Sequence, residues 1–108
     1  MSITTEINSE KTHLTIKVEG KFDYNLQKEF QKSYEPKPRK NSNCQMLISN
    51  YKVDLTDVNY LDSSALGMLL SLRKFSNHQD CVEIVGAKDS IKELLELSGF
   101  DKLFTITN

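Results

Sequence analysis

The chain has 108 residues, 38% of them apolar, and its 14 Lys and Arg nearly balance 15 Asp and Glu for a formal net charge of −1. This length is enough for one domain, residues 1–108, that buries roughly two thirds of its unfolded surface without metals or disulfides. Balanced charge excludes the one-sided basic surface of a nucleic-acid binder, and no apolar run approaches the roughly 18 residues of a membrane span.

Met1 to Lys11 is polar and lacks the charged-then-apolar layout of a signal peptide, so a cytoplasmic protein is expected. Ile3, Thr5 and Ile7 alternate, as do Leu14, Ile16 and Val18, and the polar connector Asn8 to Lys11 suits a turn. An opening antiparallel pair follows from that pattern. Gly20 is expected to break the second strand. Asp23 then has the chemistry of an N-cap for a helix through Tyr34, in which Leu26, Phe30 and Tyr34 recur every four residues, and Pro36 and Pro38 stop it.

From Glu35 to about Cys44 the composition turns basic and polar, as a surface loop would. Its cluster Lys37-Pro38-Arg39-Lys40 reads as a solvated stretch and not as a nucleic-acid surface. Cys44 and Cys81 are isolated, without CxxC spacing or a neighbouring histidine, so free thiols are expected and a zinc site is not.

Met46 to Ile48 begins to look extended, Tyr51, Val53 and Leu55 alternate as a strand, and Thr56 to Asn59 reads as a polar turn. That turn leads to Leu61-Asp62-Ser63-Ser64-Ala65-Leu66-Gly67-Met68-Leu69-Leu70, two small hydroxyl residues beside a carboxylate just ahead of an apolar helical run. Ser63 therefore sits at a helix mouth. Unpaired N–H groups and the positive end of the helix dipole meet there, so the backbone itself would hold a phosphate on this serine, although a plain N-cap has the same appearance.

In the helix that follows, Ala65, Leu69 and Leu72 share one face, flanked by Leu66. Ser64, Gly67 and Ser71 lie opposite, with Met68 at the border. Lys and Glu normally cover the solvent side of such a helix. A smooth strip of Ser, Gly, Ser and Met either meets another protein or is buried within the domain.

This helix should fade around Phe75 to Asn77, and Cys81 to Val85 is a short apolar strand ended by Gly86. Asp89 is expected to cap a last helix with Ile91, Leu94 and Leu95 as its buried stripe. Ser98-Gly99-Phe100 has the form of a Schellman stop, and Leu103, Phe104 and Ile106 close the chain as a brief strand. The order ββαβαβα, with a possible final strand, predicts an α/β fold: a mixed, mostly parallel sheet with helices packed on it. Functional sites in such sheets lie beyond the carboxyl ends of strands, where Ser63 falls.

Catalysis is not expected. The Gly-x-Ser-x-Gly elbow is absent, neither His13 nor His78 is marked as a partnered base, and Asp54, Asp57 and Asp62 fit strand-end and turn roles as well as a metal site. No catalytic residue, metal or cofactor is assigned.

The block from Val53-Asp54-Leu55 through Asp62-Ser63-Ser64-Ala65-Leu66-Gly67 resembles the signature of STAS domains, specifically the stand-alone anti-sigma factor antagonists of bacteria. Gly20-Lys21-Phe22-Asp23 is similar to that family's early Gly-x-x-Asp element, and Leu95 to Phe104 to its last helix and tail. The resemblance implies a single STAS domain whose Ser63 is phosphorylated by a partner that is both a protein kinase and an anti-sigma factor, of the histidine-kinase-like ATPase type. It also implies a serine phosphatase of the metal-dependent type that reverses the modification. The unphosphorylated form would bind the partner and the phosphorylated form release it.

By position, Asp23 and Asp62 would flank the site, Ser64 would be the second hydroxyl, and Gly67, Met68 and Ser71 would continue the partner-binding strip. Ala65 departs from the glycine usual in the sporulation-type members, while Ser-Ser-Ala-Leu-Gly-Met-Leu resembles antagonists of Gram-negative regulatory systems. The Glu35 to Asn50 connection is also longer than the family needs. An alternative within the family is an accessory subunit docked on the ATPase of a lipid transporter, with the same helix face but no phosphate cycle.

Overall fold

The computed structural model describes residues 3–8, 13–34, 50–76 and 82–107. In chain order these form β1 (Ile3–Ile7), β2 (His13–Phe22), α1 (Gln27–Tyr34), β3 (Asn50–Leu61), α2 (Ser63–Ser76), β4 (Val82–Val85), α3 (Asp89–Leu97) and β5 (Thr105–Thr107). The five strands lie in one sheet in sequential order. β1 is antiparallel to β2, with Ile3 opposite Val18, and every later pairing is parallel. This is the α/β fold with a mixed, mostly parallel sheet that the order of elements predicted.

Alternation along the strands sorts the side chains. Ile16, Val18, Val53, Leu55 and Ile84 are completely buried, and Ala65, Leu69 and Leu72 of α2 and Leu95 of α3 join them in the same core. The intervening residues carry charge on the other face, where Lys17 meets Asp57 at 3.3 Å and Thr107 donates to Glu83 at 2.8 Å. The hydrogen bond to Asp57 and that carboxylate's charge hold the Lys17 ammonium above its ordinary pKa. The pair is exposed, and such pairs contribute little to stability.

Two expectations fail in an instructive way. Thr56 to Asn59 is not a turn, and Gly20 does not end β2: both strands run on to Phe22 and Leu61, which pair. The register slips twice, since Lys17 opposes Asp54 but Glu19 opposes Asp57, and Gly20 opposes Val58 but Lys21 opposes Tyr60. Each slip inserts one extra residue in β3, so the buried positions run Tyr51, Val53, Leu55, Val58, Leu61, and the spacing of two becomes three at each bulge. The Asp54 carboxylate helps form the first bulge by accepting from the Thr56 N–H at 2.9 Å and from the Thr56 hydroxyl. Gly20 takes up the second with φ of 81°, a left-handed conformation that suits glycine.

The helices start and stop for local reasons. Asp23 accepts from the Asn25 N–H at 3.1 Å and caps a 3-10 turn, Tyr24–Leu26, that runs into α1. Leu26, Phe30 and Tyr34 are buried as their spacing indicated, and Phe30 packs 5.2 Å from Phe22 and 5.7 Å from Tyr34, centroid to centroid. Asp89 is not a cap. Lys88 holds that position without a side-chain bond, and Asp89 lies in the first turn of α3, where its charge still favours the helix dipole. The stop at Gly99 is as expected, with φ of 78° and its N–H bonded to the Glu96 carbonyl at 3.0 Å. Pro36, Pro38, the basic cluster, Met46 to Ile48, both cysteines and His78 lie outside the described residues.

Candidate functional site

β2 and β3 end side by side, and each hands the chain directly to a helix start. Because Phe22 pairs with Leu61, Asp23 and Asp62 follow at the same level, and the Asp62 N–H reaches the Phe22 carbonyl at 3.4 Å. Asp23 and Asp62 thus follow the ends of neighbouring strands, Asp23 before the turn that leads into α1 and Asp62 before α2. The second bulge sets the register in which Phe22 pairs with Leu61 and so puts the two aspartates at corresponding positions of the chain.

Asp62 is the residue that caps α2. Its carboxylate accepts from the Ala65 N–H at 3.1 Å and its carbonyl from the Leu66 N–H at 3.2 Å. The cap role, open to either serine or the aspartate from sequence, is therefore taken. Ser63 and Ser64 occupy the first helical positions, both exposed, and their hydroxyls make no hydrogen bond to the described residues. Their N–H groups also have no carbonyl one turn back within the helix. An exposed hydroxyl beside free N–H groups and the positive helix end is a place where added negative charge is tolerated. Asp62→Ala is expected to cost about 1 kcal/mol of stability, whereas Asp62→Asn keeps an accepting oxygen and most of that contribution. Urea denaturation separates the two, and equal losses would mean that the Asp62 side chain does not cap α2.

Beyond the first turn, the outer strip of α2 opens onto a groove of about 450 Å³ against α1. Ser64, Gly67, Met68 and Ser71 line one wall, and Gln27, Phe30, Gln31 and Tyr34 the other. Ser64, Gly67 and Ser71 of the strip are thus exposed and not buried inside the domain. Ser71 turns its hydroxyl back onto the Gly67 carbonyl at 3.0 Å, which keeps the wall smooth. Met68 sits at the border of the strip as its helical position indicated: it is 6% exposed and belongs to the core, and it also lines the groove beside Ser64, Gly67 and Ser71.

The α1 wall had no signal in the sequence beyond the one-turn spacing of Gln27 and Gln31, because nothing local says which helix will lie beside α2. Leu70, 41% exposed, was also missed. It is seven residues after Ser63, on the same side of α2, and adds an apolar side chain to that surface.

Gly67 has no role in the fold that requires glycine. A Cβ there would meet nothing within 4 Å, and its φ is not positive. Interior glycine is about 1 kcal/mol worse than alanine in a helix, so Gly67→Ala is expected to raise stability by about 0.5–1 kcal/mol, read as a higher urea midpoint. An unchanged or lower midpoint would show that this turn of α2 needs the glycine after all.

The remaining acidic and basic candidates are dispersed. Asp54 serves the first bulge, Asp57 pairs with Lys17, and His13 is exposed at the start of β2. Among the described residues no three His, Cys, Asp or Glu side chains converge as a metal site, and no helix is long and apolar enough to cross a membrane.

A sheet of sequentially ordered strands, with a capped serine-bearing helix at the carboxyl end of its central strand, defines a small α/β domain, and comparison with known proteins places it. The STAS domain model matches residues 4–108. A STAS-domain containing protein of Pseudomonas aeruginosa is 33% identical over 108 residues, 99% of this chain and 100% of that protein. The chain belongs to the STAS domain family. Among solved structures, a Thermotoga maritima protein described as an anti-sigma factor antagonist superposes with a TM-score of 0.76 at 17% identity, covering 98% of this chain and 86% of that one. SpoIIAA, a cell fate determinant of Bacillus solved in its phosphorylated form, gives 0.62 at 12% identity over 98% and 91% of the two chains. At these identities the two likenesses establish the fold.

Proposed function

We propose that this chain is a phospho-switch of the anti-sigma factor antagonist kind, one STAS domain that acts in the cytoplasm by binding and not by catalysis. Unphosphorylated, it docks through the Ser63 end and outer strip of α2 on a partner that is both protein kinase and anti-sigma factor, of the histidine-kinase-like ATPase type. Phosphorylation of Ser63 releases that partner, and a metal-dependent serine phosphatase restores binding. Asp23 and Asp62 flank the modified serine, while Ser64, Gly67, Met68 and Ser71 continue the contact surface.

The observation that carries this reading is the division of labour at the start of α2. Asp62 satisfies the Ala65 N–H, so the Ser63 hydroxyl is exposed and without a structural task. A serine needed as a cap would have its oxygen committed to the backbone and would cost stability when modified. A shared fold with anti-sigma factor antagonists, one of them solved with its phosphate, is consistent with the proposal.

Phosphate occupancy tests it. Mass spectrometry of the protein purified from its own cells, with and without the cognate phosphatase, should find phosphate on Ser63, enriched when the phosphatase is absent. Its consistent absence in both would leave the constitutive subunit of a transporter ATPase as the reading, since docking on α2 needs no phosphate.

A further inference from the structure

Resting on the reading that the Ser63 face binds a protein, we propose that the groove between α1 and α2 receives a single uncharged helical segment of that partner, and that Gln27 on α1 helps to select it. All eight residues of the two walls are uncharged, in a chain where 27% of residues are charged. The exposed charges of the same helices, Lys28, Glu29 and Lys32 on α1 and Lys74 on α2, line neither wall. Charge is withheld from the groove and kept on its flanks. What remains is an apolar floor of Phe30, Tyr34 and Met68 with amide and hydroxyl groups around it, a lining that offers no countercharge to an ion buried against it.

The dimensions favour a helix. Each wall runs over eight residues, Gln27–Tyr34 and Ser64–Ser71, about two turns or roughly 11 Å at the rise of an α-helix. A helix laid along them offers side chains one and two turns apart to the floor. Gly67 lowers the wall midway, where a side chain would otherwise hold the incoming backbone away, and so permits the close axial approach of packed helices. The same neutrality explains why a phosphate on Ser63 dislodges the occupant. An uncharged segment seated against Ser64, the residue next to the modified serine, brings no cation, so it would partly desolvate the added charge without compensating it.

The test uses the full chain in its Ser63→Ala form, titrated calorimetrically with the purified histidine-kinase-like ATPase that the unmodified chain retains. Gln27 is exposed, so Gln27→Lys and Gln27→Glu should keep their melting temperatures, and that is measured first. Each is expected to weaken binding by about tenfold or more, because either charge must be desolvated against a neutral partner. Either variant binding within about twofold of its parent, or one sign of charge tightening binding, overturns the inference. If both Gln27 variants bind normally while Ser63→Asp does not, the groove fails and the switch stands. If Ser63→Ala and Ser63→Asp bind alike while both Gln27 variants weaken, the groove stands and the switch fails.

Discussion

Ser63→Asp is expected to lose its partner while keeping its fold. A carboxylate in the first turn of α2 interacts favourably with the helix terminus, by about 0.3–1 kcal/mol, which offsets repulsion from Asp62, so thermal unfolding should change little. Binding is different. A surface adapted to a small neutral hydroxyl meets a bulkier anion beside two existing carboxylates, and a loss of about 3 kcal/mol already weakens association roughly a hundredfold. Phosphoserine, with a charge of about −1.5 to −2, should do at least as much. Ser63→Ala removes only an exposed hydroxyl and should bind as the unmodified chain does, constitutively. Titration of the purified ATPase with the three forms checks this order. Tight binding by a well-folded Ser63→Asp chain that also matches Ser63→Ala would sink the switch.

The largest expected loss of stability lies far from that site. Gly86→Ala should destabilise the fold by about 2–4 kcal/mol, combining the cost of a Cβ in a left-handed conformation with that of overpacking. Gly86 follows β4 with φ of 73°, and a Cβ there would overlap the Thr56 hydroxyl and come within 3.2 Å of the Asp54 carboxylate. Those are the two side chains that shape the first bulge of β3, and the Gly86 N–H is also bonded to the Thr107 carbonyl of β5 at 3.2 Å. Neither neighbour can move away cheaply.

Gly20 provides the control. Its φ of 81° is similarly left-handed, but a Cβ there meets nothing within 4 Å, so Gly20→Ala should cost only about 1–2 kcal/mol. Urea unfolding of both variants measures the difference. Equal losses would mean that the contact with Thr56 relaxes freely and only the backbone conformation matters.

The sequence and the structure part company for two physical reasons, one non-local and one local. Thr56 to Asn59 looked like a turn because alternation of two is the local mark of a strand, and a bulge breaks alternation without ending the pairing. Only the partner strand reveals that Glu19 and Lys21 resume the ladder opposite Asp57 and Tyr60. Asp89 looked like a cap because Asp is common both at the cap and in the first turn; the choice depends on one backbone dihedral at Lys88.

What the amino-acid sequence determined by itself was everything carried by near neighbours. Hydrophobic spacing specified the strands and helices, Asp23 and Gly99 marked a helix start and a helix stop, and the run Asp62-Ser63-Ser64 placed a hydroxyl at a helix mouth. Tertiary structure decided the rest: that β3 runs on through two bulges to Leu61, that Asp23 and Asp62 follow paired strand ends, and that Gln27 and Gly67 line one groove. Capping and periodicity act over a few residues, whereas that groove is set by the pairing of β2 with β3, which fixes where two helices distant in the chain come to lie.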